Sequence, residues 1–225
     1  MHSAWVELGL IDYQQAYALQ TRLVTLCRGQ AEKGYFLILE HPSVFTLGKR
    51  GGKQHLGVSN DFLNRQGIDL VHIERGGDIT YHAPGQLVLY PIFSLRDKRI
   101  SVSEYVSLLE EVMLRSAEDA GVSACRNERN HGIWVDDRKM GSIGIAIRHG
   151  VTFHGLALNV NLDLEPFSWI NPCGLTDTKM TSLAQETGTP LDLKTVKFHL
   201  KKHLATLLDL QFEDTPLTEL VATNA

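Results

Sequence analysis

Among the side chains able to act as nucleophile, base or ligand, the three cysteines sit in very different local settings. Cys173 stands between a rigid and a flexible residue in Asn171-Pro172-Cys173-Gly174-Leu175, just ahead of a predicted helix over Thr178 to Glu186. A thiol at a helix entrance is biased toward thiolate, which makes Cys173 the candidate nucleophile; a bystander loop cysteine is the alternative, since no activating partner is visible locally. Cys27 falls on the apolar stripe of a predicted helix and Cys125 within a short predicted strand, so both read as small core residues. A nucleophilic thiol needs a base. Lys139 opens a predicted hairpin running to Val160, beside small and apolar residues that could destabilise its ammonium form; locally, a surface turn lysine is the alternative.

A second concentration is the run Arg75-Gly76-Gly77-Asp78-Ile79-Thr80-Tyr81-His82-Ala83-Pro84-Gly85-Gln86, read as a loop between two strands. Its glycines let a backbone approach a ligand closely, and Arg75 and His82 add polar handles; a plain Gly/Pro turn would explain the same composition. In the hairpin, alternation puts Ser142, Gly144 and Ala146 on one face, and Gly155 and Ala157 on one face of the partner strand. If the two faces coincide they form either a furrow for an extended alkyl chain or a seat for a tightly packed element. The same alternation sets Lys139 with Gly141, Ile143 and Ile145, opposite the furrow, so a bulge or twist near Gly141 is expected. His154 shares parity with Leu156 and Leu158, which suits a buried hydrogen-bonded role as well as substrate contact.

The elements that must carry these residues are legible in outline. An amphipathic helix is predicted from Asp12 to Lys33, ending at Gly34, and strands over Tyr35–Glu40, Val44–Leu47 and Leu70–Glu74. Ser101 and Glu104 form a capping box for a helix with Tyr105, Leu109, Val112, Met113 and Ala117 inward, stopped by Gly121. Strands over Val122–Arg126, Gly132–Val135, Lys139–Arg148 and Val151–Val160 follow, joined by short turns that imply antiparallel hairpins. Asp192 caps a last helix carrying Val196, Leu200, Leu204 and Leu207 inward, with Lys194, Lys197 and Lys201 on a solvated face. Clustered rather than alternating elements predict an α+β fold, a single domain over 1–225 with a mixed, mainly antiparallel sheet flanked by helices; 211–225 is expected to be a loosely ordered tail.

With 43% hydrophobic and 21% charged residues, disorder and fibrous classes are excluded, and a net charge of −4 gives no global footprint for nucleic acid or membrane. No apolar run reaches the length of a membrane span and no secretory leader is evident, so a cytoplasmic location is expected. Dinucleotide and phosphate-loop glycine motifs and the serine elbow are absent. His199 and His203 lie four apart on one helix without the glutamate of a zinc protease, and read as helix surface; no metal is expected.

Taken together, R-G-G-x-x-T-Y-H-x-P-G-Q, K-x-x-S-I-G, H-G-L-A-L-N-V and P-C-G-L, in this order, resemble the lipoyl(octanoyl) transferase family, from about Arg75 through Thr181-Ser182-Leu183, with Thr46-Leu47-Gly48 also similar. Ala83 stands where the family usually has Gly, and Gly141 where Ala is common. The resemblance implies a fold similar to the biotin and lipoate protein ligase catalytic domain, Cys173 as catalytic cysteine and Lys139 as catalytic lysine. It implies substrate-lining segments over Arg75, Gly76, Gly77, Asp78, Ile79, Thr80, Tyr81 and His82, over Ser142, Ile143 and Gly144, and over Gly155, Leu156 and Ala157, with His154 beside them. The activity implied is transfer of octanoyl from acyl carrier protein, through a cysteine thioester and without ATP or other cofactor, to a lysine of lipoyl domains. Those belong to 2-oxoacid dehydrogenases and the glycine cleavage H protein. A monomer is expected; Lys49, Arg50, Lys53, Arg126, Arg129 and Arg138 are candidates for steering acidic partners, with ordinary solvation as the alternative. The rival readings are an ATP-dependent lipoate or biotin protein ligase and a non-catalytic module that holds lipoyl or carrier domains.

Overall fold

The chain starts with β1 (His2–Leu10) and α1 (Tyr13–Cys27), joined at Asp12, whose carboxylate accepts the N–H groups of Gln14 and Gln15. In this computed structural model, residues 2–30, 33–128, 130–171 and 178–222 are described. The first helix ends at Cys27, well short of Gly34, because Arg28 turns extended and Gly29 is left-handed. Next come β2 (Lys33–Glu40), β3 (Val44–Leu47), α2 (Asn60–Gln66), β4 (Asp69–His72), β5 (Ile79–His82) and β6 (Gln86–Phe93). They are followed by α3 (Leu95–Lys98), α4 (Val102–Asp119), β7 (Gly132–Val135), β8 (Arg138–Arg148) and β9 (Val151–Asn159). The chain closes with β10 (Lys179–Met180), α5 (Leu183–Thr187), α6 (Leu193–Leu208), β11 (Gln211–Asp214) and α7 (Leu217–Ala222).

The large sheet runs β10-β8-β9-β6-β2-β1-β11, with β7 also paired to β8. Its central run β8-β9-β6-β2 is antiparallel, and parallel pairing occurs toward its edges, at β10 with β8, β2 with β1 and β1 with β11. One face packs against α4 and α6 through Leu109, Met113, Leu156, Leu158, Leu200 and Leu204. The other packs against α1 through Leu23, Leu37, Leu39, Val88, Tyr90 and Phe153. A small sheet, β4-β3-β5, has its own apolar cluster around Phe45, Ile79, Tyr81 and Phe167.

Several expectations are corrected. Ile79–His82 is a strand inside the stretch read as a loop, and Val122–Arg126 is no strand, only a single bridge from Cys125 to Trp134. Cys125 is exposed; Cys27 is buried, and burial pushes its thiol up to about 12. The helix read over Thr178–Glu186 is β10 followed by α5, capped by Ser182, so no helix begins beside Cys173 among the described residues. Residues 211–222 are not a loose tail: β11 pairs with β1, and α7 buries Leu220. Nor is the lysine row of α6 freely solvated, since Lys197 pairs with Glu7, and Lys201 pairs with Asp214 and lies over the Trp5 ring.

Candidate functional site

Two neighbouring turns of sequence dictate how β8 delivers its side chains. Pairing with β7 steps from Ile133–Gly141 to Trp134–Lys139, leaving Met140 as an extra residue, the bulge that strict alternation required. Met140 joins the α4–α6 core, and a Cβ on Gly141 would point the same way, at the Met113 sulfur. Lys139 and Ser142 therefore share the opposite face. Gly132 permits this: its φ is +129°, and a Cβ there would meet the Gly141 carbonyl oxygen at 2.1 Å. Lys139 is buried at 7% exposure, its Nζ 5.5 Å from the centre of the Trp134 ring.

Across the β8–β9 ladder Ser142 opposes Ala157 and Gly144 opposes Gly155, so the thin faces do coincide. They are only partly open. Arg75 Cδ would lie 2.9 Å from a Cβ on Gly144, and the Leu89 carbonyl 2.1 Å from one on Gly155. Arg75 is locked over the strands by bonds to Thr46 O at 2.6 Å and Thr46 Oγ1 at 2.9 Å from the same nitrogen, and by one to Gly76 O. Between the two sheets lies a cavity with about 820 Å³ of empty space, its open mouth included. Its described lining brings together Lys139, Arg75, Gly77, Asp78, Ile79, Thr80, His82, Ser142, Ile143, Gly144, His154, Gly155, Leu156 and Ala157. Gly76 and Tyr81 are not part of it: Gly76 donates its N–H to Ile145 O, and the Tyr81 ring packs in the small-sheet cluster with its hydroxyl on Ser43. Cys173 falls in 172–177, outside the described residues; Ile170 and Thr178, on either side of that segment, both line the cavity.

Sequence reasoning missed Tyr13, Val88, Tyr90, Asn130, Phe167, Ile170, Thr178 and Met180 as lining residues. Val88 and Tyr90 share strand parity in β6, a usable signal, but Tyr13 reaches the site only because α1 crosses the sheet. Polar chains hold the walls. His41 donates from Nδ1 to Ile11 O and accepts the Tyr90 hydroxyl at Nε2, both at 2.8 Å. His82 Nδ1 donates to Gln86 Oε1; Gln86 donates to Asn159 Oδ1, and Asn159 to Thr181 O. Thr181 N–H in turn binds the Lys139 carbonyl at 2.9 Å, so this network fixes β10 against the backbone of Lys139. Burial holds three ring systems neutral: His41 titrates down at about 4, His154 at about 3, and His82 well below the usual range. His55 pairs with Asp78 at 2.5 Å, while its carbonyl accepts the Asn171 N–H at 2.8 Å, tying the chain at Asn171 to the glycine-rich segment.

Of the cations expected to steer partners, Arg126 is taken by Glu110 and Glu111 and Arg138 by Glu186 and Asp136, while Lys49 and Arg50 are exposed. The side chains of Lys53 and Arg129 lie outside the described residues. His199 and His203 both bind the Asp119 carboxylate, and among the described residues no cluster is suited to a metal ion. Among them, too, no helix is long and apolar enough to cross a membrane.

Residues 12–205 match the lipoyl protein ligase A/B catalytic domain. The chain belongs to that family. An octanoyltransferase of Desulfotalea psychrophila is 56% identical over 218 residues, covering 96% of each chain. Octanoyltransferases of Syntrophobacter fumaroxidans and Bacteroides thetaiotaomicron are 39% and 42% identical, covering 96% and 93% of this chain and 95% and 96% of theirs. In fold, the protein is similar to a putative lipoate protein ligase of T. acidophilum with bound lipoic acid, at a TM-score of 0.80 and 18% identity over 98% of this chain and 91% of that one. A biotin protein ligase of Aquifex aeolicus aligns at a TM-score of 0.52 and 12% identity, over 93% and 69%. The expected α+β ligase-like architecture is the one observed.

Proposed function

We propose that this protein is an octanoyltransferase that moves an octanoyl group from its thioester on acyl carrier protein to a lysine of lipoyl domains, through a thioester on Cys173. The single observation that carries the reading is Lys139, brought by the Met140 bulge onto the wall of a cavity that Ile170 and Thr178, on either side of the Cys173 segment, also line.

In this reading Lys139, as neutral amine, takes the thiol proton of Cys173. The thiolate attacks the thioester carbonyl carbon, the bond to the carrier sulfur breaks, and that sulfur leaves with the proton from Lys139. The acceptor lysine amine then attacks the acyl-cysteine, Lys139 receives its proton, the amide forms and the Cys173 thiolate departs to be reprotonated. A thioester passed to a thiol is a nearly balanced exchange and the final amide is the more stable product. The sequence therefore closes without nucleotide.

Mixing the protein with octanoyl carrier protein, without ATP, should add one octanoyl mass, which peptide mapping assigns to Cys173. Cys173→Ser should form no thioester adduct and transfer at least 100-fold more slowly. Octanoyl transfer at the normal rate by Cys173→Ser would refute the covalent route, and an ATP requirement would favour the ligase chemistry. Lys139→Met should lower turnover by about 10²–10⁴-fold, the usual contribution of a positioned general base.

A further inference from the structure

Along the β8–β9 ladder, the cavity wall distant from Lys139 carries a polar side chain, His154. His154 faces Ile145 in the β8–β9 register; allowing for the bulged residue it stands five ladder steps, about 17 Å, from Lys139. Its backbone explains how it gets there. Pairing of β6 with β9 stops at Leu89–Leu156, and beyond it Pro91 has no N–H to offer the next strand. His154 then takes a φ of +55°, with its own N–H given to Gln20 Oε1 of α1 at 2.7 Å. That turn lifts the ring out of the parity that sends Leu156 and Leu158 into the α4–α6 core, and sets it on the α1 side. There it stacks on Tyr17 at 5.9 Å and meets the Tyr90 ring edgewise at 6.1 Å.

The ring is 1% exposed and lines the cavity, yet neither Nδ1 nor Nε2 has a hydrogen-bond partner. Buried polar groups are nearly always satisfied, and here two ring positions are held unmet by a strained backbone and an aromatic clamp. Burial and the Arg75 charge keep the imidazole neutral, so it presents one N–H and one lone pair. A hydroxyl group can meet either one, accepting from the N–H or donating to the lone pair.

We propose that His154 makes the far end of this cavity a hydrogen-bonding subsite, which admits medium-chain acyl groups carrying a hydroxyl at or near their ω-carbon alongside the plain octanoyl chain. The inference rests on the acyl-transfer reading of the same cavity and adds a specificity-determining residue to it.

The test compares octanoyl and 8-hydroxyoctanoyl carrier-protein thioesters as competing donors to one lipoyl domain, with products read by intact mass. The wild-type protein should use the hydroxylated chain within about threefold of octanoyl, where a dry end without a partner would reject it by roughly tenfold or more. His154→Phe keeps the ring stacking and removes both nitrogens; the ratio of hydroxylated to plain product should fall at least tenfold, whatever happens to the total rate. His154→Asn, which tolerates the left-handed backbone and keeps a polar tip, should lose less of that ratio than His154→Phe. A wild-type protein that discriminates against the hydroxylated chain as strongly as His154→Phe would overturn the proposal. If octanoyl itself is not transferred, the acyl-transfer reading fails instead, so the two failures are separate.

Discussion

A methyl group added at position 155 would meet the Leu89 carbonyl oxygen at 2.1 Å, backbone that β6 pairing holds in place. Gly155→Ala should therefore destabilise the fold by about 2–3 kcal/mol, seen as a fall of about 5–10 °C in Tm, and widen the gap between β6 and β9. The sequence marks Gly144 and Gly155 as thin points, and alternation correctly aligns them, but it cannot say what fills the space. Arg75 and the Leu89 carbonyl do, both from segments distant in the chain. Parity alone sets His154 with Leu156 and Leu158, and it fails there because the residue turns left-handed at a φ of +55°, which the local pattern does not mark.

At the scale of elements, local chemistry was the part that could be read. The box between Ser101 and Glu104 is present, with Ser101 N–H on Glu104 Oε2 at 2.8 Å and Glu104 N–H on Ser101 Oγ at 3.2 Å. Ser101→Ala should cost about 1 kcal/mol, a drop of about 2–4 °C in Tm by calorimetry. The start of α6 at Asp192 and the hairpin turn at His149 and Gly150 were legible for the same reason. Parallel pairings were not: β10 and β11 are only two and four residues long with partners far away in the chain, and nothing in the residues of β1 names β2, across α1, or β11 as its neighbours. Nor did the sequence mark Glu110 as a junction. Its carboxylate, 8% exposed, receives Arg126, the Gly132 N–H and His131, so α4 anchors the strand opposite Lys139. Glu110→Ala leaves the buried Gly132 N–H unmet while Arg126 keeps Glu111 and Ser107 O; we expect about 2 kcal/mol lost in urea titrations.

For the molecule as a whole, acid is the informative perturbation. His41 and His154 have folded values near 4 and 3, below the unfolded value of about 6.5, so the unfolded chain binds more protons between those limits. Their contribution is fully present above pH 6.5 and is lost as pH falls toward the folded values, about 2 kcal/mol each between pH 7 and pH 5. Urea midpoints should fall over that interval, and His154→Phe should remove about 2 kcal/mol of the difference. Motif residues of Arg75–His82, Ser142–Gly144 and Gly155–Ala157 contribute to the cavity lining, whereas the approach of α1, with Tyr13 on the lining and Tyr17 on Glu74, depends on packing that no local pattern records. One pairing also governs assembly in time. β1 is completed on one side by Gln211–Asp214, more than 200 residues downstream in the register His2 to Gln211. At ordinary translation speeds that edge of the nascent chain stays bare for roughly 10–40 s. Through that interval its unpaired amides are open to strands of neighbouring polypeptides, so slowing synthesis should raise the aggregated fraction more than the same delay imposed on a chain already released from the ribosome.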